Sequence, residues 1–320
     1  MKILVIGTGV IGTTYAWQLS QTGCEITHLV RRGQKERLDR EGIHIECMDM
    51  RKGKGQGNGE AVKALYRPAF IEEPNFSPEF ELILVSVGSN RLAGVLELLR
   101  GKTGEADILF LQNIRPGEDS LIGKELESSR YLFGYPFMAG GGKKDNLIRS
   151  VIFGNPLNNT MLGEKDGRRT ERLDRICRLF RKAGMNPKKT GKILPYLHSH
   201  YVWAASVLGT YMKVGSYERF VTDRTIMKES YIAMREAFGT CKARGIRPDR
   251  IMPTCLYYLP LFLLVPFSMR LYSTEAMKRM FEGHVSGSPE EMKQMVKDIL
   301  EEGVRYNVEM PTFRAFGRYL

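Results

Sequence analysis

Lys2-Ile3-Leu4-Val5-Ile6-Gly7-Thr8-Gly9-Val10-Ile11-Gly12, residues 2–12, is the stretch that decides the fold. Lys2–Ile6 is a short apolar run closed by glycine, which reads as a buried strand. Gly7, Thr8, Gly9, Val10, Ile11 and Gly12 then fit G-x-G-x-x-G, and Thr13–Gln21 reads as a helix. The pattern gains meaning from this strand–turn–helix setting. The first glycine permits the tight turn, the second lets backbone N–H groups approach a pyrophosphate, and the third lets helix and strand pack closely. The helix N-terminus adds the positive end of its dipole. Gly7 to Gly12 are therefore expected to cradle the phosphates of a dinucleotide, with a bare tight turn as the plainer alternative.

The surrounding pattern agrees with a parallel sheet. Glu25–Val30, Leu82–Val87 and Ile108–Gln112 are further apolar strands, and Leu92–Leu99 is helical. Continuous apolar strands separated by helices indicate an α/β sheet covered on both faces. From Tyr131 the chain turns β-rich (Tyr131–Tyr135, Ser150–Gly154, Thr160–Glu164), and Thr170–Ala183 is an amphipathic helix. After Lys188–Gly191 the strands stop. Past Ile193 nearly everything reads as helix: Pro195–Tyr211, Tyr217–Arg244, a proline-bent apolar segment within Cys255–Phe267, and Pro289–Arg305. Two domains are expected, 1–192 and 193–320. Arg51–Gly59 lacks any apolar side chain and is expected to be a surface loop.

Composition narrows the function. A chain of 320 residues with 42% hydrophobic and 26% charged residues is neither disordered nor collagen-like. Its formal net charge of +12 asks for an anionic partner: a phosphorylated ligand, nucleic acid or a membrane surface. The end of the second strand answers it. Leu29-Val30-Arg31-Arg32-Gly33 offers no acid for a ribose 2′-OH, whereas an arginine fork matches a phosphate, so NADP is favoured over NAD. A flavin site would also normally carry an acid there. Nucleic acid is not needed to explain the charge, since no recognisable binding module accompanies it. The longest apolar stretch, Cys255–Phe267, falls short of the roughly 20 residues of a membrane span and is expected to be buried. Five dispersed cysteines without C-x-x-C read as reduced thiols of a cytoplasmic protein. The basic clusters Gly142-Lys143-Lys144 and Arg168-Arg169 read as solvated faces.

Taken in order, these motifs resemble the ketopantoate reductase family. Gly7–Gly12 with Arg31 is similar to its NADPH fingerprint, Leu82–Arg91 to its third-strand motif, and Phe110–Asp119 to a segment carrying an asparagine near the nicotinamide. Met234–Ile246 and Glu291–Pro311 resemble helices of its second domain. The resemblance implies an N-terminal Rossmann dinucleotide-binding domain, a C-terminal all-helical domain, and an active site in the cleft between them. The implied reaction is hydride transfer from NADPH to a 2-keto acid, with a lysine as general acid. In an ungapped alignment His200 takes that lysine's place, while Ala204 and Leu208 replace two substrate-binding asparagines. Gly88 replaces a second lysine.

The candidate site follows from these positions. His200 is the candidate proton donor, with a default pKa near 6.5. His198, two residues away, faces elsewhere on the helix. Asn113, at a strand's C-terminal end, suits the carboxamide or substrate. Ala139 is a candidate backbone contact to the cofactor. Glu291 matches the family's substrate-binding acid, although Ser288-Pro289-Glu290-Glu291 also reads as a capping box. Glu275 is its rival, and His284 falls in a Gly283–Gly287 turn without a role. Tyr257-Tyr258 and Leu261–Leu264 are candidates for a homodimer contact. The competing function is an NADPH-binding sensor that has lost catalysis, consistent with Gly88, Ala204 and Leu208.

Overall fold

The computed structural model of the chain describes residues 1–51, 61–73, 80–155, 158–287 and 289–320. Its strands are β1 (Lys2–Ile6), β2 (Glu25–Leu29), β3 (Ile43–Asp49), β4 (Val62–Tyr66), β5 (Ala69–Ile71), β6 (Leu82–Val85), β7 (Asp107–Leu111), β8 (Tyr131–Pro136), β9 (Ala139–Lys144), β10 (Leu147–Ile152), β11 (Thr160–Gly163) and β12 (Pro187–Lys189). Between them lie α1 (Val10–Ser20), α2 (Lys35–Glu41), α3 (Ser89–Leu99), α4 (Glu118–Glu125) and α5 (Glu171–Lys182).

Eight strands form one sheet in the order β12-β11-β8-β7-β6-β1-β2-β5. All its neighbouring pairs are parallel except β8 with β11. Ile3 pairs with Ile26 on one side and Leu82 on the other, and β6 is fully buried. The continuous apolar runs thus sit where both faces are covered. Because β1, β6 and β7 are parallel, Gly7, Ser86 and Asn113 follow strand ends at one edge, the edge at which such sheets hold ligands.

The second sheet was not anticipated. It runs β4-β3-β10-β9, with β3 parallel to β10 and the other pairs antiparallel. Helix α1 packs against β1 and β2 and also against β9 and β10, so it lies between the sheets. Residues 52–59 of the expected surface loop lie outside the described residues. Arg51 itself is a correction: its guanidinium is almost buried, paired with Asp49 at 2.5 Å and donating to Gln18 at 2.8 Å and to the Ala183 carbonyl at 3.1 Å.

The helical part comprises α6 (Ile193–Val214), α7 (Tyr217–Thr222), α8 (Arg224–Ala243), α9 (Leu261–Tyr272), α10 (Glu275–Gly287), α11 (Pro289–Arg305) and α12 (Pro311–Arg314). Tyr217–Arg244, expected as one helix, is two. The Asp223 carboxylate accepts from the N–H groups of Thr225 and Ile226 and so caps α8. The apolar stretch Cys255–Phe267 is corrected further. Only Leu264, Val265, Ser268 and Tyr272 of α9 are buried, a single helical stripe. Phe262 and Phe267 are 74% and 67% exposed. His284 lies in α10 rather than in a turn. Ser288, the serine of the expected capping box, lies outside the described residues.

The chain divides into two compact units, Met1–Asn113 with Ser120–Ile193, and Ile114–Asp119 with Leu194–Leu320. The short segment 114–119 belongs with the helices through polar contacts. Arg115 pairs with Asp298 at 3.8 Å, and His198 Nε2 lies 3.6 Å from Asp119.

Candidate functional site

The three glycines of the loop have different reasons to be glycine. Gly7 has φ +117°, and a Cβ there would lie 2.0 Å from the Ser86 carbonyl oxygen. A Cβ on Gly12 would lie 2.5 Å from the Gly7 carbonyl oxygen. The turn and the helix–strand packing therefore demand both. Gly9 is different. Its backbone is ordinary, φ −77° and ψ −179°, and a Cβ there would meet nothing within 4 Å. Among the described residues, no atom requires a glycine at that point.

Gly9 is also the N-cap of α1, with no side-chain cap and no acid in the first turn. The opening N–H groups of a helix have no intrahelical acceptor, and the dipole favours an anion beside them. Open space at Gly9 in front of such groups is what a diphosphate needs, so the residues fit the group that the motif implies.

Cations gather around this loop. Arg31 follows β2, is exposed, and has no ion-pair partner among the described residues, whereas its neighbour Arg32 pairs with Glu73. Lys143, on β9, donates from Nζ to the Thr8 carbonyl oxygen at 2.8 Å and to Thr8 Oγ1 at 3.1 Å. Burial of its ammonium end, then the charges of Arg37, Arg31 and Arg91, hold its pKa below the usual lysine value. Much of the side chain is nonetheless exposed, because only the tip docks on Thr8. Lys143 and Lys144 are exposed, as expected of a solvated face, but the Lys143 ammonium is also held on Thr8. Sequence offered no signal, since Lys143 reaches Thr8 only through the pairing of β9 into the second sheet.

Ala139 opens the same strand, buried and opposite Ile152. It lies about 13 Å along the strand from Lys143 at the usual rise per residue. Asn113 is half-buried just beyond β7 and makes no side-chain hydrogen bond among the described residues. Nearby, the Val87 N–H donates to Gln112 Oε1 at 3.3 Å. His28, wholly buried in β2, is pushed down to about 3 by burial and then by the Lys143 charge, so it is neutral at physiological pH.

In the helical unit, His200 stands on α6 with its ring 4.9 Å from that of Trp203. Burial, then the nearby His284, pushes its pKa down to about 3. The expected value near 6.5 is therefore corrected: in the folded chain this imidazole is neutral at pH 7. His284 is itself lowered by burial and raised in part by Glu291. His200, His284 and Glu291 thus form one electrostatic neighbourhood, although sequence reading gave His284 no role. Ala204 and Leu208, one and two helical turns beyond His200, are 8% and 4% exposed and belong to the hydrophobic core of the unit. Glu275 is exposed and acts instead on Tyr217. A further buried bond, Tyr201 O–H to Asp298 Oδ2 at 2.6 Å, was not expected from the sequence.

Comparison with known proteins gives a consistent set of likenesses. Residues 3–150 match the family model described as ketopantoate reductase PanE/ApbA. A 2-dehydropantoate 2-reductase of Aquifex aeolicus (strain VF5) is 26% identical over 223 residues, 67% of this chain. That alignment spans 64% of the relative's length, less than two thirds of it. The crystal structure of 2-dehydropantoate 2-reductase from Geobacter metallireducens GS-15 superposes with a TM-score of 0.74 at 18% identity, covering 100% of this chain and 99% of that one. The ternary structure of D-mandelate dehydrogenase with NADH and anilino(oxo)acetate gives 0.73 at 15% identity, covering 100% and 97%. At such identities the structural likeness concerns the fold.

Proposed function

We propose that the chain is a divergent member of the ketopantoate reductase family, whose model residues 3–150 match, and that it is an NADP-dependent oxidoreductase reducing a 2-keto acid or related small carbonyl compound. The observation that supports the proposal is Gly9: a glycine with ordinary φ, where a Cβ would meet nothing within 4 Å among the described residues. Gly7, Thr8, Gly9, Val10, Ile11 and Gly12 hold the pyrophosphate. Arg31, lacking an acidic partner among the described residues, takes the 2′-phosphate and selects NADP over NAD. The D-mandelate dehydrogenase of similar fold is in complex with NADH, which makes this choice the one to measure.

When bound, the dinucleotide supplies the hydride. Asn113, with its amide unspent, orients the carboxamide or the substrate carbonyl. His200, neutral at pH 7, donates an N–H hydrogen bond to the carbonyl oxygen. As charge builds on that oxygen, the bond strengthens and the proton can pass to it. Glu291 accepts from a polar group of the substrate, and Ala139 contributes a backbone contact. Ala204 and Leu208 withhold the family's two substrate amides, which favours a 2-keto acid with an apolar substituent over ketopantoate. The same reading makes the protein a cytoplasmic homodimer, joined through the exposed Phe262, Leu263 and Phe267 of α9. Sedimentation velocity of wild type beside Phe262→Glu tests the dimer, a wild-type monomer being the contrary result.

The activity is tested by following NADPH absorbance against a panel of 2-keto acids and simple ketones. Turnover of at least one, fastest among the apolar 2-keto acids, is expected. If NADPH binds but nothing in a broad panel consumes it, a nucleotide sensor becomes the better reading, as Gly88, Ala204 and Leu208 allow.

A further inference from the structure

We infer that Lys143 is a specificity-determining residue of the nucleotide site, binding the 2′-phosphate together with Arg31. The inference rests on the reading of the glycine loop as an NADP site and adds a residue that comes from the second sheet. The position of the ammonium is fixed by two acceptors, the Thr8 carbonyl oxygen at 2.8 Å and Thr8 Oγ1 at 3.1 Å. A lysine has three N–H donors, so one remains for a ligand.

Its electrical surroundings say what that ligand must be. Arg37 on α2, Arg31 beyond β2 and Arg91 on α3 act on Lys143, and no carboxylate is among the charges that shift it. Four cations from four elements repel one another, a cost that a bound anion removes. Arg37 has Glu41 at 3.7 Å, while Arg31 has no acid among the described residues. Burial first, and then these three arginine charges, hold the Lys143 pKa below the usual lysine value.

The proposed ligand carries a pyrophosphate and a separate 2′-phosphate, and the arrangement separates them. The pyrophosphate is served by the helix N-terminus in front of Gly9, which needs no side chain. Arg31 and Arg37 both follow β2, the strand whose end meets the adenosine ribose in dinucleotide sites. They are also the strongest of the three arginine charges on Lys143. Lys143 therefore belongs to the 2′-phosphate, as a point charge on a flexible stem beside the planar fork of Arg31.

The experiment is calorimetric titration of wild type, Lys143→Ala, Lys143→Arg and Arg31→Ala with NADPH and NADH, and with 2′,5′-ADP and 5′-AMP. Lys143→Ala is expected to weaken NADPH and 2′,5′-ADP roughly tenfold or more, a lost charge-assisted hydrogen bond. NADH and 5′-AMP should change by less than about twofold, and Lys143→Arg should keep most of the preference. Equal weakening of NADPH and NADH would place Lys143 on the pyrophosphate and overturn the inference, as would no weakening at all. Because the side chain is largely exposed, the variants should melt with wild type, which the same samples verify. A wild type that binds neither nucleotide removes the NADP reading itself, whereas tight wild-type binding left intact by Lys143→Ala removes only the role of Lys143.

Discussion

Lys143 Nζ and the carbonyl oxygen of Thr8 are 2.8 Å apart, although 135 residues separate them in sequence. The bond ties the second sheet to the loop between β1 and α1, and it sets a cation beside the place where the loop is open. It forms because β9 pairs antiparallel with β10, which pairs in parallel with β3, and because α1 packs between the two sheets.

Arg31 and Arg32 should behave differently despite being neighbours. Arg31→Ala should weaken NADPH by about 2 kcal/mol, roughly 30-fold, with NADH nearly unchanged. Arg32→Ala should have little effect, since that guanidinium is exposed and already paired with Glu73. Fluorescence titration of both nucleotides checks this, and equal losses in the two variants would contradict it.

Gly7 and Gly12 should matter to stability, in contrast to Gly9. Alanine at Gly7 meets a left-handed backbone and the Ser86 carbonyl, and at Gly12 the Gly7 carbonyl. Each should cost about 2–3 kcal/mol. Thermal melting would show a fall of roughly 5–10 °C, while Gly9→Ala should melt within a degree or so of wild type.

The alternation of apolar strands and helices, the glycine loop and the switch to helix near Ile193 were legible because each is a local pattern. The second sheet was not, for a physical reason. β4 is mostly exposed and carries no clean alternation, and β3 finds its partner β10 some hundred residues away. Burial misled at α9, where an apolar run turned out to have one buried stripe and an exposed flank. Arg31 could be read from sequence because the end of β2 is fixed by the strand before it. Lys143 and His284 could not, since their neighbours are set by packing alone.

His200 should act without a histidine-like pH profile. Its pKa near 3 leaves the imidazole neutral from pH 5 to 8, so kcat should not fall through pH 6–7 on its account. His200→Ala should lower kcat by about 10²–10³ while leaving nucleotide affinity unchanged. A wild-type rate that drops through pH 6–7, with the drop missing in the variant, would show a protonated donor instead.

Acid stability should reflect the buried histidines. His28 has a folded pKa near 3 and an unfolded one near 6.5. Between these values the unfolded chain binds a proton that the folded chain does not, so stability rises with pH across the window. It is fully present above about pH 6.5 and is lost as pH falls toward 3. His200 acts in the same direction. The ring of His28 lies 5.8 Å from that of Tyr66 and 6.1 Å from that of Phe70, an environment that tolerates another aromatic. His28→Phe should therefore flatten the dependence of Tm on pH between 4 and 6.5, and an unchanged slope would count against a neutral buried His28.

The central claim, that the loop from Gly7 to Gly12 holds the phosphates of a nicotinamide dinucleotide, is tested most directly by the Kd of NADPH for Gly9→Val beside wild type. Valine at this position has an allowed backbone and meets no atom of the described residues at Cβ, so the variant should fold and melt close to wild type. Its side chain would occupy the space assigned to the pyrophosphate. The account predicts measurable NADPH binding by wild type and its loss, by at least about 100-fold, in a folded Gly9→Val. A folded Gly9→Val that binds NADPH as tightly as wild type would contradict it.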